Sequence, residues 1–157
     1  MSTHPYKQAG VVGTGAMGRG IAQLLAQCGV PVRLYDTNAA AVESAIAQIG
    51  GIFGKLAEKG RMTADAASAA GARLQPAASL EDLAGCDLVV EAIVERLDAK
   101  RQLFSSLEGI VGDSAVLATN TSSLSVTAIA AGCKRPGRVV GWHFFNPVPL
   151  MKVIEVV

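Results

Sequence analysis

The sequence predicts an α/β fold with a doubly wound, mainly parallel sheet. Three observations carry that expectation. Short apolar, β-type runs alternate with helical stretches along most of the chain. The first run leads straight into a glycine-rich turn that opens a helix. Polar residues gather just after the later runs instead of inside them.

In chain order, Ala9–Val12 is the first strand and Ala16–Cys28 the helix after the glycines. Val32–Tyr35 is the second strand. It is followed by a long Ala-rich helical excursion, Ala39–Glu58, with Gly60 as its stop. Gly50, Gly51 and Gly54 fall inside this stretch, and each would weaken a mid-helix position by about 1 kcal/mol relative to Ala. Thr63–Ala70 forms another helix with Thr63 as N-cap, Arg73–Gln75 is a short strand, and Ser79-Leu80-Glu81-Asp82 resembles a helix start. Leu88–Ala92, Ala115–Thr119 and Val139–Gly141 supply three further strands, separated by helices at Leu97–Leu107 and Ser125–Ala131. The final run, Lys152–Val157, also reads as strand.

Residues 1–157 are long enough for one domain with a real core, and half the residues are apolar while 17% are charged, which excludes a disordered chain. A formal charge of +1 with one Trp, two Tyr and four Phe provides no basic stripe with stacking platforms, so nucleic-acid binding is not expected. Cys28, Cys86 and Cys133 are widely spaced, without metal-ligand spacing, and read as reduced, mostly buried thiols. No signal core or membrane-length apolar run is present, so a soluble cytoplasmic protein without membrane partners is expected.

Gly13-Thr14-Gly15-Ala16-Met17-Gly18 is a GxGxxG motif, weak alone but here set between a strand and a helix. Gly13 allows the tight turn, Gly15 the approach of a pyrophosphate, and Gly18 close helix–strand packing. The helix N-terminus at Ala16 and Met17 then offers N–H groups and a favourable dipole to phosphate. Asp36 follows the second strand, where it would accept both adenosine-ribose hydroxyls and repel a 2′-phosphate. The expectation is a Rossmann-type domain binding NAD rather than NADP. S-adenosylmethionine methyltransferases also pair a glycine turn with an acidic second strand, but the regular ending of this motif argues against them.

Glu91 and Glu95, then Asn120, Thr121 and Ser122, then His143 and Asn146 follow the fourth, fifth and sixth strands. In an open parallel sheet these positions share the ligand-binding edge. Each has a plain alternative: Asn120–Ser123 as a capped turn, Glu95 with Lys100 as a surface pair, His143 as a packed histidine. His143 sits just after a strand among aromatic residues, and Glu155 interrupts an apolar, β-branched run. Imidazole moves protons near neutral pH, and a carboxylate beside it would fix its tautomer. Alternation puts Glu155 on the face of Val153 and Val157, so an inward face would bury the carboxylate; an edge strand would leave it in solvent.

Four segments resemble the NAD-binding domain of L-3-hydroxyacyl-CoA dehydrogenases: Val11–Gly20, Glu91-Ala92-Ile93-Val94-Glu95, Asn120-Thr121-Ser122-Ser123-Leu124 and His143-Phe144-Phe145-Asn146-Pro147. The similarity spans nearly the whole chain. It implies that His143 is the catalytic base toward the substrate 3-hydroxyl, that Glu155 is its dyad carboxylate, and that Ser122 hydrogen-bonds the substrate oxygen near the nicotinamide. It implies NAD contacts at Asp36, Glu95, Lys100, Asn120 and Asn146, and a CoA-phosphate contact at Lys59. Ile52 falls where some relatives carry a polar CoA-contacting residue. The same resemblance implies a helical C-terminal domain beyond residue 157, which would complete the acyl-CoA site and form a homodimer.

Overall fold

The computed structural model describes residues 5–157; the first four residues of the expected 1–157 domain lie outside it. Its core is a seven-stranded sheet in the order β3-β2-β1-β4-β5-β6-β7. The strands are β1 Ala9–Val12, β2 Val32–Tyr35, β3 Leu74–Pro76, β4 Leu88–Glu91, β5 Val116–Thr119, β6 Val139–Phe144 and β7 Ile154–Val156. The first six run parallel, and β7 turns back antiparallel onto β6. The helices are α1 Ala16–Gln27, α2 Ala39–Glu58, α3 Ala64–Ala72, α4 Leu97–Ile110 and α5 Val126–Ala130. The expected fold class is the observed one: a Rossmann-type, mainly parallel sheet with a helical excursion after β2.

Strand alternation divides the core between two faces. Val11 and Val90 join Ile21, Val42, Ile49 and Phe53 beneath α1 and α2. Their neighbours Val12 and Val89 join Phe104, Leu107 and Ile129 beneath α4 and α5. Being covered on both sides, β1 and β4 are buried at every position.

The local signals place the helix ends. The Asn38 side chain accepts from the N–H groups of Ala40 and Ala41, at 3.1 and 3.3 Å, starting α2. Gly60, at φ +70°, lies just beyond its end. Thr63 accepts from Ala66 N–H at 3.0 Å, so α3 begins at Ala64 with Thr63 as the expected cap. The Ser79 stretch caps only a short 3₁₀ turn, Leu80–Leu83. Pro76 sits in β3, an edge strand, where its missing N–H costs no ladder bond.

Gly50, Gly51 and Gly54 do lie within α2, and a Cβ added at any of them meets no atom within 4 Å. Replacing each by Ala should therefore stabilise the fold by about 1 kcal/mol. The expected result for the triple variant is a melting transition raised by several degrees in calorimetry.

The largest departure is at β6. Expected to end at Gly141, it continues through Phe144, so His143 lies in the strand rather than after it. The extension follows from pairing with β7, which sets Trp142 against Val156, His143 against Glu155 and Phe144 against Ile154. Among the thiols, all free, Cys86 and Cys133 are buried while Cys28, at the end of α1, is exposed, against the expectation of mostly buried cysteines for that one. No helix of the described residues is long and apolar enough to cross a membrane.

Candidate active site

The sheet order reverses between β1 and β4, and a crevice opens beyond their carboxyl ends. The three motif glycines meet different demands there. Gly13 takes φ +113°, and a Cβ on it would stand 2.4 Å from the Ala92 carbonyl oxygen at the end of β4. At Gly18 a Cβ would stand 2.0 Å from the Gly13 carbonyl oxygen, so α1 can cross the turn only without a side chain. Gly15 is different: a Cβ there would meet nothing within 4 Å. It is the N-cap of α1 and no side chain caps that helix, so the first-turn N–H groups are left for a ligand.

Gly13, Thr14, Gly15 and Asp36 line one wall of a cavity of about 700 Å³, whose other walls come from Leu80, Val94 and the α4 residues Ala99, Gln102 and Leu103. Asp36 is held firmly. Its Oδ2 accepts from the Thr14 hydroxyl at 2.7 Å and the Thr14 N–H at 3.0 Å, and its Oδ1 from the Asn38 N–H at 3.0 Å. Burial alone would raise this carboxyl, but the bonds from Asn38, Thr14 and Thr37 outweigh it and lower it, so it is a carboxylate at neutral pH. Thr14 was not expected to take part; its hydroxyl at a variable position of the motif gave no sign of a partner 22 residues away.

A second cavity, of about 300 Å³, adjoins the first along Ala92 and Ile93, which line both. It collects Met17, Glu95, Asn120, Ser122, His143 and Asn146 from the start of α1 and the ends of β4, β5 and β6, and Lys100 from α4. Glu95 Oε2 accepts the Ser122 N–H at 3.0 Å and the Ser122 hydroxyl at 3.1 Å, and its Oε1 accepts the Thr121 hydroxyl at 2.8 Å. Burial raises the Glu95 carboxyl, yet the bonds from Ser122, Thr121 and Lys100 bring it down to about 2. Because the folded state lowers this group, its stabilisation is present above the ordinary value of 4.5 and lost as pH falls toward about 2. The melting difference between the wild type and Glu95→Gln should accordingly close over that window in acid titrations.

Asn120 serves partly as a strap. Its Oδ1 accepts the Phe144 N–H at 2.9 Å, tying the end of β5 to the residue after His143. The His143 ring packs against Phe145 with centroids 4.6 Å apart. Glu155 lies directly opposite in the β6–β7 ladder, with its Oε1 4.0 Å from His143 Nδ1, beyond hydrogen-bond reach. The possibility that Glu155 is buried is not met: its side chain is 62% exposed, because β7 is an edge strand with every residue open.

Other expectations need correction. The plain alternative of a surface pair between Glu95 and Lys100 fails, because the Lys100 side chain is 2% exposed and binds Glu91 at 2.6 Å as well as Glu95 at 3.1 Å. Its ammonium is committed to two carboxylates, which leaves it less free for a cofactor than the resemblance implied. Glu91 is the last residue of β4 and fully buried, rather than displayed after the strand. A sequence signal for this pair existed. Lys100, Phe104 and Leu107 share one helical face, so a lysine stood on the apolar side of α4 and required a buried carboxylate. Ala16 and Gly18 line neither cavity; Lys59, the C-cap of α2, and Ile52 are likewise apart from both. Ile52 instead borders a third recess with Arg19, Gln23 and Gln48.

An uncapped helix start behind a glycine turn, an acidic second strand end and a crevice at the sheet's reversal point define a dinucleotide-binding α/β domain. A second cavity adjoins it, where Glu95, Asn120, Ser122 and His143 stand among apolar residues. The chain belongs to the 3-hydroxyacyl-CoA dehydrogenase family: residues 8–157 match its profile "3-hydroxyacyl-CoA dehydrogenase, NAD binding domain". It is 46% identical over 147 residues to a 3-hydroxyadipyl-CoA dehydrogenase of Escherichia coli, covering 94% of this chain and 31% of that protein. It is 42% identical over 151 residues to a 3-hydroxybutyryl-CoA dehydrogenase of Bradyrhizobium diazoefficiens, covering 96% of this chain and 52% of that protein. The crystal structure of an (S)-3-hydroxybutyryl-CoA dehydrogenase from Ralstonia eutropha superposes with a TM-score of 0.91 at 39% identity, covering 96% of this chain and 53% of that one. The chain thus spans from about 31% to about half of the length of these relatives.

Proposed function

We propose that residues 1–157 are the NAD-binding part of an enzyme that interconverts (S)-3-hydroxyacyl-CoA and 3-oxoacyl-CoA, with a His143–Glu155 dyad moving the proton. The observation that carries this reading is the adjoining pair of cavities. The glycine turn and Asp36 line one, and Ser122, Glu95 and His143 line the other. The residues suit NAD: Gly15 leaves open space where a side chain would obstruct a pyrophosphate, and Asp36 presents a carboxylate where a 2′-phosphate would be repelled. Gly13, Gly15 and the N–H groups of Ala16, Met17 and Gly18 would hold the phosphates, Asp36 the adenosine ribose, and Glu95, Lys100, Asn120, Ser122 and Asn146 the nicotinamide end. When bound, NAD supplies the acceptor for the substrate hydride.

The chain's own groups handle the proton. His143 faces Glu155 through Nδ1, which leaves Nε2 to take the proton of the 3-hydroxyl. A carboxylate at Nδ1 favours the imidazolium that forms. Ser122 donates its hydroxyl proton to Glu95; because the single proton of the 3-hydroxyl goes to His143, Ser122 would orient the substrate oxygen by turning that donor from Glu95 toward it. Lys59 would meet the CoA phosphates from the end of α2.

The same reading assigns the whole protein a helical C-terminal domain, a homodimer built through it and a cytoplasmic setting; the length of the relatives supports the first of these. It also separates the activity of this stretch from that of the whole. Glu155 is exposed, as are Leu150, Val153 and Val156 around it, so water reaches the dyad. Residues 1–157 alone should bind NADH but turn over slowly or not at all. The test is NADH oxidation over a series of 3-oxoacyl-CoA esters and the corresponding free acids, with this chain and with the full-length protein. Turnover of free acids in preference to CoA esters would replace the substrate class, and absence of NADH binding would overturn the reading.

A further inference from the structure

Beneath the smaller cavity lies a buried charged cluster whose internal bonds the proposed chemistry does not use. Glu91 is 0% exposed and Lys100 is 1% exposed. Glu91 Oε2 accepts from Lys100 Nζ at 2.6 Å and from the Ile93 N–H at 2.8 Å, while its Oε1 accepts the Thr119 hydroxyl at 2.6 Å. Thr119 in turn accepts the Thr121 N–H at 3.2 Å, and Lys100 Nζ reaches on to Glu95 Oε1 at 3.1 Å. Glu95 then takes both donors of Ser122. An unbroken series of polar contacts thus runs from the middle of the sheet to the residue that lines the cavity.

We infer that Glu91 and Lys100 are positioning residues: Glu91 anchors the buried ammonium, and the ammonium fixes the Glu95 carboxylate, which holds the Ser122 backbone and hydroxyl in place at the site. The inference rests on the reading that this cavity receives the nicotinamide and the substrate. Stability alone is a weak reason for such a pair, since an apolar replacement of both partners is often neutral or stabilising. Direction is a better one. An apolar floor would pack equally well but exert no pull on Glu95, a partly exposed carboxylate near the end of the β4–α4 loop that could otherwise rotate into solvent. Two tethers hold the loop after β5 as well, one on the Thr121 N–H and one on its hydroxyl.

The test replaces both partners together, Glu91→Gln with Lys100→Met, so that no unpaired charge is left buried. Melting reports the fold, the NMR signal of the Ser122 amide reports its bond to Glu95, and fluorescence titration with NADH reports the site. The expected result is a folded variant whose Ser122 amide moves upfield and no longer follows Glu95 ionisation in acid, with NADH binding weakened about 10-fold. An unchanged Ser122 signal overturns the inference whatever the NADH affinity does, because Lys100→Met also removes a proposed cofactor contact. If the wild type itself does not bind NADH, the cofactor reading falls, and the Ser122 signal still decides the positioning role. Should the double variant not fold, Glu91→Asp keeps every charge and withdraws the anchor by one methylene. The Ser122 signal then shifts if Glu91 positions the loop and stays in place if it does not.

Discussion

Replacing His143 by Ala in the full-length protein should lower kcat by about 10³-fold, within the range typical of a lost general base, and leave NADH binding intact. The ring borders the smaller cavity and is braced against Phe145, while the residues that would hold the cofactor phosphates lie beyond Ala92 and Ile93. The variant should also lose the limb of the pH–rate profile that reports the general base. A limb that persists in the Ala variant would remove His143 from the role. Glu155→Gln should cost less than the histidine change, because at 4.0 Å the carboxylate is not hydrogen-bonded to the ring in the open arrangement. A Glu155 effect equal to that of His143 would mean that closure in the full-length protein brings the pair into contact.

The second large effect concerns the glycine turn, where three chemically identical substitutions should have two different outcomes. Gly15→Ala should fold like the wild type, since Gly15 has φ −66° and a Cβ there has nothing within 4 Å to strike. Its NADH binding should nonetheless fall by about 10-fold or more, because the methyl group occupies the approach to the first-turn N–H groups. Gly13→Ala and Gly18→Ala should lose stability by about 3 kcal/mol or more each, through overpacking of backbone on backbone. Gly13 adds the strain of a left-handed conformation, at φ +113°. Denaturant midpoints beside NADH titrations separate the two classes. A destabilised Gly15→Ala variant with normal NADH affinity would show that this glycine serves the fold rather than the ligand.

Much of this organisation was legible in the residue order. The strand and helix sequence, the stop at Gly60, the cap at Thr63 and the glycine turn all rest on interactions within a few residues, which local patterns record directly. Asp36 was legible because its place after β2 follows from the same alternation. The site itself was legible only as a set of residues after strands. That they share one edge follows from parallel topology, but which of them touch depends on register. Ser122 proved to be bonded to Glu95, and Asn120 to the Phe144 backbone, pairings that span 27 and 24 residues.

What the sequence by itself determined is the fold class, the dinucleotide turn and the candidate histidine, since each depends on periodicity or on steric demands confined to a short segment. What only the tertiary structure decided is the state of the charges. Lys100 could have been half of a surface pair and is buried between two carboxylates; Glu155 could have been buried and stands in solvent. Burial is a property of what packs over a residue. For Lys100 the cover is the sheet beneath α4, while for Glu155 it is an edge strand with no further element of the described chain upon it.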